Sequence, residues 1–217
     1  MSEFARRRTI MVDTQVRPSD VTKFPIIEAM LSVPREAFVP DALREAAYAE
    51  ENLDIGQGRV LLEPRTFAKM LEAADIQPDD LVLDVACGIG YSAAVAARLA
   101  EAVIALEDSA ELCAEAEVAL GLASADNVAV VEGRLADGAA KHGPYDVILI
   151  EGGVEVVPDT FADQLKPGGR IVAIFNERHL GTVKVGYRTE DAIDWRFAFN
   201  ATGPVLAGFH RAAEFAL

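Results

Sequence analysis

The spacing of apolar residues changes near residue 79. Before it, apolar residues recur every three or four positions, as at Ile26, Ile27, Met30 and Leu31, which is typical of amphipathic helices. After it, short and almost wholly apolar runs alternate with alanine-rich segments. Such runs are typical of parallel strands covered on both faces by helices. The pattern therefore predicts a helical N-terminal region followed by alternating strands and helices.

Capping residues and a proline mark where the predicted helices begin. Ser19 and Asp20 are expected to cap the first long helix, Asp41 and Pro64 to open two more, and Ser109 to cap a later one. Residues 1–18 are expected to form an arm or a short helix, and residues 52–63 an ordered loop or a short extended segment. The predicted helices cover residues 21–31, 41–49, 65–74, 91–99, 109–120 and 158–165.

Strands are predicted in two groups. The almost wholly apolar runs predict parallel strands at residues 81–85, 102–106, 128–131, 146–150 and 170–175. The segments 182–187 and 194–199 alternate in polarity, and we expect them to be antiparallel. Trp195, Phe197 and Phe199 should then share one buried face.

Together the elements predict an α/β fold: a doubly wound, mostly parallel sheet with an antiparallel edge and a helical N-terminal extension. Residues 1–78 would form the extension and cover the substrate, and residues 79–217 would form the core, within one structural domain. In such sheets, ligands bind beyond the carboxyl ends of the strands where the strand order reverses.

Composition narrows the function classes. The 217 residues are 51% hydrophobic and 25% charged, as in soluble globular proteins, and carry a formal net charge of −15. That charge argues against nucleic acid or an anionic membrane as the main partner. No run approaches the roughly 20 apolar residues of a membrane span, and no signal-peptide core is present, so a cytoplasmic location is expected. Neither the two cysteines nor the three histidines (His142, His179, His210) have metal-ligand spacing.

The most informative motif is LVLDVACGIGYSAA, from Leu81 to Ala94. Its glycines fit the G-x-G-x-x-G/A pattern of a nucleotide-binding turn, in which the backbone approaches the ligand closely. A strand-to-helix turn without a ligand remains an alternative. Asp84 lies at the end of the strand, where a carboxylate would repel a diphosphate. A cationic ligand such as S-adenosylmethionine (SAM) would tolerate that acid or use it.

Glu107 ends the next predicted strand. A carboxylate there can accept hydrogen bonds from both ribose hydroxyls of an adenosine ligand, which suits NAD and SAM equally. Alternatively, it only helps to cap the helix that Ser109 begins. Asp84 shifts the preference to SAM and leaves an NAD-dependent oxidoreductase as the disfavoured alternative.

Three stretches resemble the protein-L-isoaspartate O-methyltransferase family. They are MVDTQVRPSDVTKFPIIEAMLSVPREAFVP, LVLDVACGIGYSAAVAARLA and QLKPGGRIVAIF. The first is the most specific, because generic SAM methyltransferases lack it. The similarity covers about Met11 to Phe175.

The resemblance implies a Rossmann-like SAM methyltransferase that repairs proteins by methylating a carboxylate, that of L-isoaspartyl residues in damaged proteins or peptides. Positioning the carboxylate opposite the sulfonium should then contribute more than acid–base catalysis, and no metal is needed. The sequence leaves the oligomeric state open. The residues expected to hold SAM are Asp84, Ala86, Cys87, Gly88, Gly90, Tyr91, Glu107, Asp108, Arg134, Leu135 and Glu151.

The substrate loop departs from the family. Where the family has a segment like QTISQP, whose serine contacts the substrate, this chain has RVLLEP. Leu62 stands at the position of the serine and Glu63 replaces an amide. Both changes are expected to weaken carboxylate recognition unless Arg59 compensates, so these three residues are the candidate catalytic positions.

The cofactor side departs too. Ala86 replaces the first glycine of the loop, a change we expect to be mild, and Arg134 replaces an aspartate that would bond the adenine amino group. Leu135 still offers a backbone N–H, Asp137 is a candidate substitute, and Glu151 adds a carboxylate. Three readings therefore stay open: an isoaspartyl methyltransferase, a SAM methyltransferase with another acceptor, or a SAM-binding protein without efficient catalysis.

Overall fold

A seven-stranded sheet organises the computed structural model, which describes residues 2–177, 180–190 and 192–211. A separate two-stranded hairpin precedes it. The strands are β1 (Leu53–Gly56), β2 (Arg59–Leu61), β3 (Leu81–Val85), β4 (Ala102–Glu107), β5 (Val128–Glu132), β6 (Tyr145–Val154), β7 (Leu165–Glu177), β8 (Leu180–Arg188) and β9 (Ile193–Asn200).

The large sheet has the order β5-β4-β3-β6-β7-β8-β9. The first five strands in this order, β5, β4, β3, β6 and β7, pair in parallel. Strands β8 and β9 are added in antiparallel pairing, which confirms the predicted fold class. From β3 the chain moves outward through β4 and β5, then returns to place β6 on the other side of β3. The strand order reverses there, so the crevice beyond β3 and β6 is the expected ligand site.

Six α-helices accompany the strands in the described structure. They are α1 (Glu3–Met11), α2 (Phe24–Ser32), α3 (Pro64–Ala74), α4 (Tyr91–Ala96), α5 (Ala110–Leu122) and α6 (Thr160–Gln164). Ser109 caps α5 as predicted, its hydroxyl accepting from the backbone N–H of Leu112. Within the described ranges, no helix is both long enough and apolar enough to cross a membrane.

Two predicted N-terminal helices differ in the structure. The helix expected from residue 21 begins at Phe24, because Asp20 takes a left-handed conformation (φ 63°) and Pro25 occupies the first turn. The helix expected over residues 41–49 is a 3₁₀ segment, Asp41–Ala46. Residues 12–16, at the end of α1, form a π-helical turn.

The prediction that Trp195, Phe197 and Phe199 share one buried face is wrong. Phe199 is buried and Trp195 packs edge-on against Phe175 with ring centroids 4.7 Å apart, but Phe197 is 67% exposed. A register shift explains this difference: Phe199 pairs with Val183 and Phe197 pairs with Lys184. Since side chains alternate along a strand, one extra residue in β9 places Phe199 on the face opposite to Trp195 and Phe197.

The N-terminal extension shares its core with the sheet. One buried apolar cluster extends from Met11 in α1 through Phe67 in α3 to Val172 in β7 and Phe199 in β9. Arg170 on β7 also donates to the carbonyl oxygens of Ala74, the last residue of α3, and of Asp75, which follows it. The extension therefore depends on the sheet for burial of its apolar residues, and the boundary at residue 78 stays a prediction.

Candidate cofactor and substrate site

Asp84 lies near the end of β3, at the crevice where the strand order reverses. Its side chain is fully buried, and Oδ2 accepts a hydrogen bond of 2.6 Å from Ser92 Oγ in α4. Oδ1 has no hydrogen-bond partner in the described part of the chain. An unpaired buried oxygen is costly, so this atom is available to a donor on a ligand.

Glu151 presents a second unpaired acceptor in the same cleft. The pairing of β6 with β7 shifts between Leu149 and Gly153, and this irregularity at the end of β6 contains Glu151. The side chain is 5% exposed, and Oε1 has no hydrogen-bond partner in the region described. The strand predicted to end at Ile150 therefore continues through Val154.

Arg35 is a residue of the cleft that the sequence analysis missed. It is fully buried, donates from Nε to Ala47 O and from Nη2 to Leu62 O (both 2.6 Å), and its guanidinium lies 4.8 Å from the centre of the Tyr91 ring. Nη1 is buried without a hydrogen-bond partner in the described structure. A charged residue within the apolar run VPREAFVP was the signal that could have identified it.

The ribose candidate, Glu107, is fully buried at the end of β4 and pairs with Arg59. Arg59 Nε lies 3.0 Å from Oε2 and Nη2 lies 2.9 Å from Oε1, so the contact is bidentate. Backbone N–H groups of Gly88 and Asp108 donate to the same carboxylate at 3.0 and 2.8 Å. Arg59, expected to compensate for a lost substrate contact, is therefore paired with the ribose candidate Glu107.

The two substituted positions of the substrate loop separate in the structure. Leu62 is 2% exposed and lines the cleft with Phe38 and Phe67. Glu63 lies at the start of α3, where Oε1 accepts from Thr66 Oγ1 at 2.6 Å, and it is absent from the cleft lining. The Glu63 carboxylate is therefore held against Thr66 outside the cleft lining, and its expected repulsion of a substrate carboxylate stays a prediction.

The glycine loop turns tightly after β3. A Cβ added to Gly88 (φ 57°) would lie 2.6 Å from Ile55 Cδ1 of the hairpin, so the loop and the hairpin touch here. Ala86 has φ 64°, a conformation that costs a residue with a Cβ about 1–2 kcal/mol. Replacing the first glycine by Ala86 is therefore less mild than expected.

The predicted adenine contacts are only partly assembled. Arg134 is on the surface, with Nε 3.7 Å from Asp137 Oδ2, while the side chain of Leu135 is buried. The backbone N–H of the adjacent Gly133 donates to Glu107 O at 2.9 Å, which holds this loop beside the ribose candidate. Leu135 therefore lies in a loop next to the site, and Arg134 points away into solvent.

The hairpin β1–β2 covers the cleft. Ile55, Val60 and Leu61 line it from the hairpin, facing Cys87 and Ser92 from the β3–α4 segment. The free volume left between these side chains is about 10 Å³, about enough for one water molecule. In this conformation the hairpin closes over the glycine loop.

Burial changes the ionisation of the cleft. Burial, with a contribution from Glu107, raises the pKa of Asp84 to about 7, although the hydrogen bond from Ser92 acts in the opposite direction. Burial and the nearby Asp84 also raise the pKa of Glu151 well above its usual value. The pKa of the Cys87 thiol is likewise raised by burial, so Cys87 is neutral at pH 7 and is not a reactive thiolate.

The raised pKa of Asp84 predicts a pH dependence of stability. Between the ordinary value of 3.8 and about 7, the folded protein keeps a proton that the unfolded chain has released. Raising the pH through this window therefore destabilises the fold. We expect Asp84→Asn to remove part of the fall in Tm between pH 4.5 and 7.5, by the order of a few degrees.

Thermal unfolding across that pH range checks this expectation. Asp41→Asn is the matched control, because it removes a carboxylate whose side chain is 99% exposed. A slope of Tm against pH that is the same in Asp84→Asn and in the unaltered protein would contradict the assignment.

The chain matches known proteins over most of its length. A family model described as protein-L-isoaspartate(D-aspartate) O-methyltransferase matches residues 7–195. A protein-L-isoaspartate O-methyltransferase of Koribacter versatilis (strain Ellin345) is 39% identical over 79% of this chain and 78% of its own. One from Methylorubrum extorquens (strain PA1) is 41% identical over 77% of this chain and 73% of its own.

Solved structures agree on the fold. A structure named protein-L-isoaspartate O-methyltransferase superposes with a TM-score of 0.78 at 25% identity, covering 94% of this chain and 65% of that chain. A structure from Plasmodium falciparum in complex with S-adenosyl-L-homocysteine also has a TM-score of 0.78 and covers 95% of this chain and 99% of its own. At 16% identity it supports the fold alone.

Proposed function

This chain belongs to the protein-L-isoaspartate(D-aspartate) O-methyltransferase family, and we propose that it binds SAM in the cleft beyond β3 and β6 and methylates the α-carboxylate of L-isoaspartyl residues. The observation that carries the proposal is the pair of unpaired buried carboxylate oxygens at the switch point, on Asp84 and Glu151. They lie beside a glycine turn that lets a ligand approach the backbone.

The side chains of the cleft fit a cationic adenosine ligand. When bound, SAM supplies a methyl group activated on a positively charged sulfur. Asp84 and Glu151 offer acceptors to its positive end, and Glu107 lies where ribose hydroxyls bind in related folds. The positive charge of SAM would favour the ionised forms of Asp84 and Glu151, whose pKa values burial raises, whereas a diphosphate would raise those pKa values further, which supports SAM over NAD.

Arg35 is the cation of the cleft, and we assign it to the acceptor carboxylate. Its unpaired Nη1 is buried among Phe38, Leu62 and Phe67, where a charge-assisted hydrogen bond is strong because water is excluded. The bonds that fix its other two nitrogens to Ala47 O and Leu62 O hold the guanidinium rigidly. Positioning of this kind lowers the barrier to a displacement without acid–base chemistry.

The unaltered protein is expected to transfer labelled methyl from SAM to a peptide containing one L-isoaspartyl residue. The matched control is the same peptide with a normal aspartyl residue, whose α-carboxylate is tied up in the peptide bond. Label should appear in the first peptide alone and should be lost on mild base treatment, as a methyl ester is. Equal labelling of the two peptides, or none at all, would contradict this acceptor.

A second acceptor class is favoured by Leu62, which offers no hydrogen bond where the family serine stands. A suitable acceptor would carry an apolar group beside its nucleophile. The side chains of Leu61 and Leu62 would contact the apolar group, and the Glu151 side chain would lie in the same cleft. Label incorporated from SAM into a cell extract, in a fraction that lacks isoaspartyl residues, would favour this class.

A further inference from the structure

The ion pair between Arg59 and Glu107 is the least expected feature of the cleft. Both side chains are buried, 3% and 0% exposed, and they come from segments 48 residues apart. Arg59 is the first residue of β2, so the pair ties the hairpin to the end of β4. Arg59 also donates from Nη2 to Asp108 Oδ1 and from Nη1 to Gln57 O.

Glu107 has no acceptor capacity left in this arrangement. Oε1 accepts from Arg59 Nη2 and from the backbone N–H groups of Asp108 and Ser109, at 2.9, 2.8 and 3.3 Å. Oε2 accepts from Arg59 Nε and from Gly88 N, both at 3.0 Å. A carboxylate offers about four lone-pair sites, and these contacts fill them. Ribose hydroxyls therefore need the guanidinium to leave.

We propose that Arg59 competes with the cofactor for Glu107, because its guanidinium occupies the ribose position. The Arg59–Glu107 pair thereby acts as a latch that holds the hairpin closed. Adenosine binds only when this latch opens. The inference rests on the proposed binding of SAM in this cleft. It assigns to Arg59 a role in setting cofactor affinity, in place of the role in carboxylate recognition expected from the sequence.

Asp108 provides a partner for the open state. Its side chain is 35% exposed, against 0% for Glu107, and it already accepts from Arg59 Nη2. Arg59 can therefore exchange the buried carboxylate for the half-exposed one without losing a counter-charge. The exchange moves the guanidinium from the ribose position toward solvent.

The hairpin turn permits such a movement. Gly56, Gln57 and Gly58 all have positive φ, and a Cβ added to either glycine would meet nothing within 4 Å. The turn therefore extends into open space, and besides the contact with Arg59, Gln57 makes an exposed hydrogen bond of 3.3 Å to Glu111. The buried Arg59–Glu107 pair is the stronger restraint.

Calorimetry with S-adenosylhomocysteine as the probe tests the latch directly, without a turnover assay. If the latched state is 90–99% populated, the apparent Kd of the unaltered protein is about 10–100-fold weaker than that of the open protein. We expect Arg59→Gln to lower Kd by that factor. The matched control is Arg170→Gln, which removes a partly buried arginine–carboxylate pair with Asp80 at the opposite end of the strands and should leave Kd unchanged.

Arg59→Lys covers the case in which Arg59→Gln does not fold. Lysine keeps the charge but lacks the planar fork, so Kd should fall by a smaller factor. Equal or weaker binding in both variants would overturn the latch and leave the proposed function intact. No binding heat in any protein, the unaltered chain and the Arg170→Gln variant included, would instead overturn SAM binding itself and the latch with it.

Discussion

Replacing Leu62 by serine is expected to raise the rate of methyl transfer to an isoaspartyl peptide tenfold or more. Leu62 lines the cleft at 2% exposure next to Arg35, and its side chain has no hydrogen-bond donor. A hydroxyl there adds a hydrogen bond to a charged group, worth about 1.5–3 kcal/mol, which corresponds to about 10–150-fold in rate. Measuring kcat/KM for the labelled-methyl reaction checks the expectation.

Leu62→Ala is the control that separates the hydroxyl from the space it needs. Both substitutions remove buried apolar atoms and should cost about 2–5 kcal/mol of stability, so unfolding must be measured for each. Serine should raise kcat/KM and alanine should not. An equal gain in both variants would show that space, not a hydrogen bond, limits the reaction.

Glu63→Gln is expected to change this rate little, although it also restores a family residue. The Glu63 carboxylate is bound to Thr66 at the start of α3, outside the cleft. A gain in Glu63→Gln alone, comparable to that in Leu62→Ser, would contradict this placement. Of the two substrate-loop substitutions expected to weaken carboxylate recognition, the structure thus leaves Leu62 in the cleft and places Glu63 outside it.

Local patterns account for most of what the sequence predicted correctly. β3, β4 and α5 match closely, because a continuous apolar run or a capping serine decides each of them within a few residues. The position of the glycine loop at the switch point followed from the alternation of strands and helices. Phe199 was assigned to the same face as Trp195 and Phe197 because a one-residue bulge leaves no mark on the polarity pattern.

The candidate site was harder to predict, because its partners are distant in sequence. The positions of Asp84 and Glu107 follow from where their strands end. Arg59 pairs with Glu107 and does not lie beside Glu63, because the hairpin folds over the sheet. No spacing rule predicts a contact between residues 48 positions apart. Arg35 was missed for the same reason: its buried bonds to Ala47 and Leu62 carbonyl oxygens join three loops.

The Arg59–Glu107 pair also predicts that stability and cofactor binding separate in a double-mutant cycle. Glu107→Gln alone leaves a buried guanidinium without its main counter-charge, which typically costs 3–5 kcal/mol of unfolding free energy. The remaining contact with Asp108 places the expected loss near the lower end, about 3 kcal/mol. Adding Arg59→Gln removes the stranded charge and should recover part of that loss, as measured by urea unfolding.

Binding of S-adenosylhomocysteine, unlike stability, should not recover in the double variant. The carboxylate that we propose accepts from the ribose is absent in Glu107→Gln and in the double variant, so both should bind S-adenosylhomocysteine at least tenfold more weakly than Arg59→Gln does. Glu132→Gln is the control, since Glu132 pairs in register with Glu107 on the neighbouring strand but is exposed. A double variant that binds as tightly as Arg59→Gln would mean that Glu107 only anchors the hairpin. If the double variant instead recovers stability but not binding, the Glu107 carboxylate must accept hydrogen bonds from both Arg59 and the ribose.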